Sequence, residues 1–411
     1  MKPMAERYAR PDWVRRLVAM GDSLGEGGAR RLVPLDADAM LEGAAAALGG
    51  GPFPDFGDPR WESRFRELVA AVDAAPLHAV GRLVTRQELQ RSLRARLLLA
   101  RAWAAEPALA EERIEAPVIV TGPARSGTSI LFELLWLDPT LRGPLAWEAL
   151  HPLPFEEDRG AADRRPAVTE CEQELWADLQ PEFAAMHELR SDLPVECVTL
   201  TQPCFCGPHW SMVVSGVPLP DMAEMYAFHR RILQVLQREA PPATWLLKTP
   251  AHLSTLDLAF ATYPDAWIVQ THRDPAKTMP STLSITATVQ WMRADRVDLE
   301  GLRAAIDLAF GGALNAVAER RAKGELPDRF VDVHFQELCR DPVTTLGRAY
   351  ERMGRSFSGE HADAALRYLD EKPRGKYGEH RYTPEEWGFD RRALHEQLAP
   401  YIAHFGVELE T

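Results

Sequence analysis

Cysteine is scarce, with five in 411 residues: Cys171, Cys197, Cys204, Cys206 and Cys339. So few exclude a disulfide scaffold, and an odd count fits a reducing compartment. Cys204-x-Cys206-x-x-His209, with Cys197 nearby, lacks the paired Cys-x-x-Cys units of structural zinc sites. Buried thiols are expected there, and no metal. No apolar run reaches the roughly eighteen residues a membrane-crossing helix needs, so no integral membrane segment is expected. Met1 to Ala19 mixes charge with apolar residues and has no apolar centre, so no signal peptide is read there. These absences predict a cytoplasmic protein. Basic charge is short as well. Lys and Arg number 47 against 60 Asp and Glu, a net charge of −13, which speaks against a nucleic-acid partner. Such a chain can still hold an anion, because a few local cations and backbone N–H groups decide that contact.

Apolar residues are plentiful at 46%, enough for a sizeable core. Residues 1–112 read as a helical region. Trp13, Val14, Leu17 and Val18 share one face; so do Trp61, Phe65, Leu68, Val69 and Val72; Leu89, Leu93, Leu97 and Leu98 make a third stripe. Gly49-Gly50-Gly51-Pro52-Phe53-Pro54 is a breaker loop. The arginines from Arg86 to Arg101 read as the solvated face of an amphipathic helix.

The pattern changes at Pro117. Val118–Val120, Trp245–Leu247, Trp267–Gln270 and Phe330–Phe335 are short apolar runs of strand type, separated by helical stretches. Strand and helix in alternation predict an α/β fold, a parallel β-sheet with helices on both faces, over residues 113–411. Residues 154–166 and 286–300 read as loops or lids.

Gly122-Pro-Ala-Arg125-Ser126-Gly127-Thr128-Ser129 joins a strand to a helix. Loop N–H groups and the free N–H groups of a helix start converge there, and the helix dipole adds positive charge, so an anion is held. Glycine lets backbone approach the ligand. Ser126, Thr128 and Ser129 offer hydroxyls, and Arg125 a forked cation. The spacing of Gly122 and Gly127 matches the nucleotide-triphosphate loop, but Thr128 stands where that loop has lysine. The cation sits before the second glycine, at Arg125.

Pro-x-Arg-Ser-Gly-Thr-Ser after an apolar strand resembles the 5′-phosphosulfate loop of the sulfotransferase superfamily, with Ser129 where many members have threonine. Arg273 follows a strand and Ser281 lies eight residues on, a spacing similar to that family's 3′-phosphate site. The resemblance implies 3′-phosphoadenosine 5′-phosphosulfate (PAPS) as donor, the P-loop-like sulfotransferase fold with an N-terminal helical extension, and no metal. Lys372-Pro-Arg374-Gly-Lys376-Tyr377-Gly resembles the family's late basic loop, which makes Arg374, Lys376 and Tyr377 cofactor-binding candidates; a solvated loop is the other reading. Lys248 in Leu-Lys-Thr-Pro resembles the lysine that reaches the bridging oxygen in tyrosylprotein sulfotransferases and related bacterial enzymes.

The resemblance also implies a general base after the phosphate loop. Glu148 is the candidate, although this chain has two more residues after Pro139 than that group; His151 is the alternative. The polar stretch Met186 to Cys197 reads either as acceptor-pocket lining or as a helix start held by Asp192 and Glu196. The acceptor is expected to be a small-molecule, lipid or natural-product hydroxyl. A homodimer is compatible with the sequence, which does not fix the assembly. The competing reading is a small-molecule kinase or nucleotide hydrolase with a modified phosphate loop.

Overall fold

Five short strands, all parallel, form one sheet in the order β2-β3-β1-β4-β5. They are β1 (Val118–Thr121), β2 (Leu141–Arg142), β3 (Thr244–Lys248), β4 (Trp267–His272) and β5 (Phe330–His334). The structure, a computed structural model, describes residues 1–155, 161–238, 243–372 and 382–410. Near-continuous Val, Ile and Leu in β1, β3 and β4 fit strands covered on both faces. Alternation within β1 shows the two covers. Ile119 joins Leu247, Ile268, Phe228 and Ile232 on one face, while Val118 and Val120 join Leu246, Leu131, Leu135 and Leu346 on the other. Register pairs Val120 with Lys248 and Thr121 with Gln270, so the C-terminal ends of β1, β3 and β4 lie side by side. Ligands of open α/β sheets gather at that edge.

The N-terminal residues are helical as expected. Trp61–Ala74 packs Trp61, Phe65, Leu68, Val69 and Val72 against Leu89, Leu93 and Leu97 of the long helix Ala79–Ala105. One expectation is corrected here. The Arg86-to-Arg101 face is not solvated, since no residue from Val84 to Trp103 is exposed. Arg96 is caged by the rings of Phe56, Trp61 and Phe228. Elements remote in sequence cover the helix's polar side, and they satisfy it with groups of their own: Glu88 meets Arg293, and Arg91 meets Gln202.

Residues 286–300 also differ from the expected loop. The helix Pro275–Trp291 runs through the first part, and Leu299–Ile306 begins within the last. A Ser- and Thr-rich sequence with Pro280 hides the helical period. The hydroxyls of Thr282, Thr286 and Thr288 donate to carbonyls one turn back, which satisfies them inside a helix. Likewise, the helix Arg165–Leu179 starts before the expected 154–166 loop ends. Among the described residues no helix is long and apolar enough to cross a membrane.

Candidate active site

The loop Gly122–Ser129 leaves β1 and enters the helix Thr128–Trp136. Gly122 (φ 141°), Arg125 (φ 70°) and Gly127 (φ 89°) all take left-handed backbone. A Cβ on Gly122 would meet Thr271 Oγ1 at 2.3 Å, and one on Gly127 would meet the Phe335 ring at 2.6 Å. Both glycines are therefore required by φ and by space. No side chain caps the helix, so the N–H groups of its first turn point into the loop. Ser126 departs from the expected role. Its hydroxyl is buried, donates to Pro123 O and meets Thr271 Oγ1, so it braces the loop from behind. Thr128 and Ser129 open the helix itself.

Lys248 ends β3 beside this helix start. It is 2% exposed, so it is no solvent-facing strand-end lysine. Its Nζ donates to Ser129 Oγ at 3.0 Å and to Glu196 Oε1 at 2.5 Å. Thr249 Oγ1 donates to the other Glu196 oxygen at 3.3 Å, and His187 Nε2 lies 3.7 Å from Oε1. Glu196 occupies the N-cap position of Cys197–Leu200 yet makes no cap bond. Its carboxylate is turned to Lys248 instead. Burial alone would raise that carboxyl, but Lys248 and then His187 outweigh burial and hold it down at about 2. Glu196 is thus ionised and unites lysine, hydroxyl and imidazole at the head of the phosphate loop. The polar stretch Met186–Cys197 was visible in sequence; the specific role of Glu196 in it was not.

Arg125, Arg273 and Ser281 lie in one chain of contacts, although the sequence spacing tied only Arg273 to Ser281. Arg125 Nε donates to Ser281 Oγ at 3.2 Å, and its Nη1 to Met186 O at 2.5 Å. Arg273 Nη1 donates to Arg125 O at 3.1 Å. Arg273 also lies over the Phe335 ring, 4.1 Å from its centroid, on the ring that fills the space beside Gly127. Burial lowers the Arg125 guanidinium from its usual value; Tyr382 partly offsets this and the nearby Arg273 adds to it. Arg273 already meets the Glu410 carboxylate, while the Arg125 guanidinium meets Ser281 and the Met186 carbonyl.

The structure does not bring Glu148 to the loop. Its Oε1 accepts from Arg142 Nη2 at 2.5 Å, and its Oε2 from Leu145 N at 3.0 Å, closing its own helix start. Arg142 pairs with Trp245 in β3, and Lys248 lies three residues further along that strand, about 10 Å away at strand rise. His151 Nε2 meets Glu172 at 3.0 Å, and Glu172 in turn faces Arg91 of the long N-terminal helix. Arg374, Lys376 and Tyr377 lie outside the described residues. Their flanks do reach the site: Lys372 binds Glu133 at 2.7 Å and Glu188 at 2.6 Å, and Tyr382 OH donates to Lys277 O at 2.8 Å. Cys197, Cys204 and Cys206 are buried thiols, with 3.6 Å between the sulfurs of Cys204 and Cys206. Among the described residues no cluster of three or more His, Cys, Asp or Glu could hold a metal ion.

Comparison with known proteins bears on this arrangement. Residues 117–359 match the Sulfotransferase family, a span that includes the loop, Glu196, Lys248, Arg273 and Ser281. An omega-hydroxy-beta-dihydromenaquinone-9 sulfotransferase of Mycobacterium tuberculosis is 23% identical over 305 residues, 72% of this chain and 76% of that protein. Its Mycobacterium bovis counterpart matches equally. A sulfotransferase of Mycobacterium avium shares the fold with a TM-score of 0.76 at 24% identity, covering 92% of this chain and 98% of the other. One from Mycobacterium tuberculosis gives 0.71 at 25% identity, covering 89% and 98%. The kinase or nucleotide-hydrolase reading is thereby set aside. The chain belongs to the Sulfotransferase family and is an enzyme that transfers a sulfuryl group to an acceptor.

Proposed function

We propose that the donor is PAPS and that the acceptor is the hydroxyl of a lipid or other apolar small molecule. The observation that carries the donor and its chemistry is the cluster at the loop: Lys248 Nζ sits between Ser129 and Glu196 at an uncapped helix start. The loop N–H groups with Thr128 and Ser129 suit the 5′-phosphosulfate. Arg125, Arg273 and Ser281 suit the 3′-phosphate, and Arg374, Lys376 and Tyr377 are proposed to complete that end. Two half-buried arginines joined through the Arg125 carbonyl suit a doubly charged phosphate better than a neutral group.

When bound, the donor supplies a sulfuryl group whose S–O bond to the 5′-phosphate breaks as the acceptor oxygen bonds to sulfur. Glu196 takes the acceptor proton. Lys248 turns its ammonium to the bridging oxygen, where charge grows as the bond breaks. That turn also frees Glu196 from its strongest partner, so the carboxylate becomes more basic when the donor is in place. The products are a sulfate ester and adenosine 3′,5′-bisphosphate. Glu196 replaces Glu148 in this role because it alone of the two touches Lys248.

The two relatives named for a hydroxylated isoprenoid quinone support a lipid alcohol as acceptor. All five cysteines are free thiols, in keeping with work in the cytoplasm. Calorimetric titration tests the donor. Adenosine 3′,5′-bisphosphate should bind without metal, and ATP with magnesium should not. Tight ATP binding with no bisphosphate binding would sink the reading. A long-chain primary alcohol in micelles, followed by the mass shift of sulfation, tests the acceptor class.

A further inference from the structure

We propose that Glu410 is a positioning residue for the donor's 3′-phosphate: it holds the Arg273 guanidinium in the orientation that presents its terminal fork. The inference rests on the assignment of Arg273 to that phosphate. Glu410 takes the side of the guanidinium, with Arg273 Nε donating to Oε1 at 2.6 Å and Nη2 to Oε2 at 3.0 Å. Arg125 O accepts from Nη1 at 3.1 Å, and the Phe335 ring supports the flat face. These contacts use three of the five N–H donors of an arginine. One N–H remains on each terminal nitrogen, outside these contacts, to meet a phosphate.

Glu410 is itself fixed at both ends of its backbone. Its N–H donates to Asp274 Oδ2 at 2.8 Å, and its carbonyl accepts from Arg391 Nη1 at 2.6 Å. Asp274 is fully buried and also accepts from Ala276 N and meets His395 Nε2, each at 2.8 Å. A residue anchored on main-chain atoms acts as a strut. A carboxylate standing in for the phosphate would instead take the terminal fork and hang from a loosely held segment. The strut also joins residues 407–410, remote in sequence, to the turn after β4.

The test compares two ligands that differ in the 3′-phosphate, adenosine 3′,5′-bisphosphate and AMP, by calorimetry on the full chain. Glu410→Ala should weaken the bisphosphate about tenfold, as loss of an outer-shell orienting partner does, and leave AMP within roughly twofold. Glu410→Ala in an Arg273→Ala background should add no further loss for the bisphosphate. Tighter bisphosphate binding by Glu410→Ala would make Glu410 a competitor and overturn the proposal. Equal weakening of both ligands, with a lowered thermal midpoint, would reduce it to a fold contact and overturn it too. If Arg273→Ala itself leaves the bisphosphate-to-AMP ratio unchanged, the 3′-phosphate assignment fails at its root.

Discussion

At the scale of single residues, the proposed chemistry turns on which carboxylate meets Lys248. Arg125, Lys248, Arg273 and Ser281 stood out in the sequence because Lys248 ends a strand, Arg125 and Arg273 lie in turns after strands, and Ser281 is on the helix that follows Arg273. Glu196 sits on an irregular stretch 52 residues from Lys248, and no local pattern ties the two together. Glu148 has the better motif, yet Arg142 neutralises it at the far end of β3. Glu196→Gln should therefore lower kcat by roughly 10²- to 10⁴-fold, the usual range for a lost general base, while bisphosphate affinity holds. Lys248→Ala should lower kcat similarly, since it strips the leaving oxygen of its cation. Glu148→Gln should act on the thermal midpoint more than on kcat; full loss of turnover in that variant alone would return the base to Glu148. Stability supplies an independent readout. The Glu196 carboxyl is depressed from 4.5 to about 2 in the fold. Its contribution is present above the unfolded value and is lost as pH falls from about 4.5 towards 2. Glu196→Gln should lack that acid-side decline.

At the scale of elements, the strand–loop–helix unit was legible because its geometry is local. Left-handed backbone at Gly122 and Gly127, an apolar strand before and an uncapped helix after all lie within about twenty residues. What local sequence could not show is the contact between the two halves of the proposed donor site. Phe335, just past β5, fills the space beside Gly127 and also lies under Arg273. A change at Gly127 should reach both. Gly127→Ala puts a Cβ 2.6 Å from that ring at φ 89°, with a backbone cost of about 1–3 kcal/mol. Chemical denaturation should show that loss. Calorimetry should show weaker bisphosphate binding than the loop strain alone predicts, because Arg273 loses its platform. AMP binding reduced as much as bisphosphate binding would mean that the damage stops at the loop. The helix Pro275–Trp291 illustrates the opposite case. The hydroxyls of Thr282, Thr286 and Thr288 bond within the helix and its burial comes from distant partners, so a segment that reads as a lid is a core element.

At the scale of the whole molecule, the change of pattern at Pro117 marks a change of architecture without marking a separate core. Phe56, Leu99, Ala100 and Leu109 pack in the same cluster as Ile119, Leu247 and Ile268 of the sheet. The long helix Ala79–Ala105 also sends Glu88 to Arg293, which follows the helix that carries Ser281; the two atoms are 2.8 Å apart and the side chains 1–2% exposed. Burial would raise the Glu88 carboxyl, but Arg293, His209 and Arg91 together outweigh it and hold it down at about 2. Breaking such a pair from one side leaves a buried charge alone, at a cost of about 3–5 kcal/mol. Glu88→Ala should show that cost in urea denaturation without moving the bisphosphate-to-AMP ratio, since no ligand contact is touched. A chain begun at residue 113 loses the same carboxylate together with Leu99, Ala100 and Leu109 from one face of the sheet. The sum is comparable with the roughly 5–15 kcal/mol that keeps a domain folded. That chain should be insoluble, or should lack a cooperative thermal transition by circular dichroism. A soluble, cooperatively melting fragment that binds bisphosphate would show instead that the sheet and its remaining helices stand without the N-terminal cover, and that residues 1–112 serve the acceptor alone.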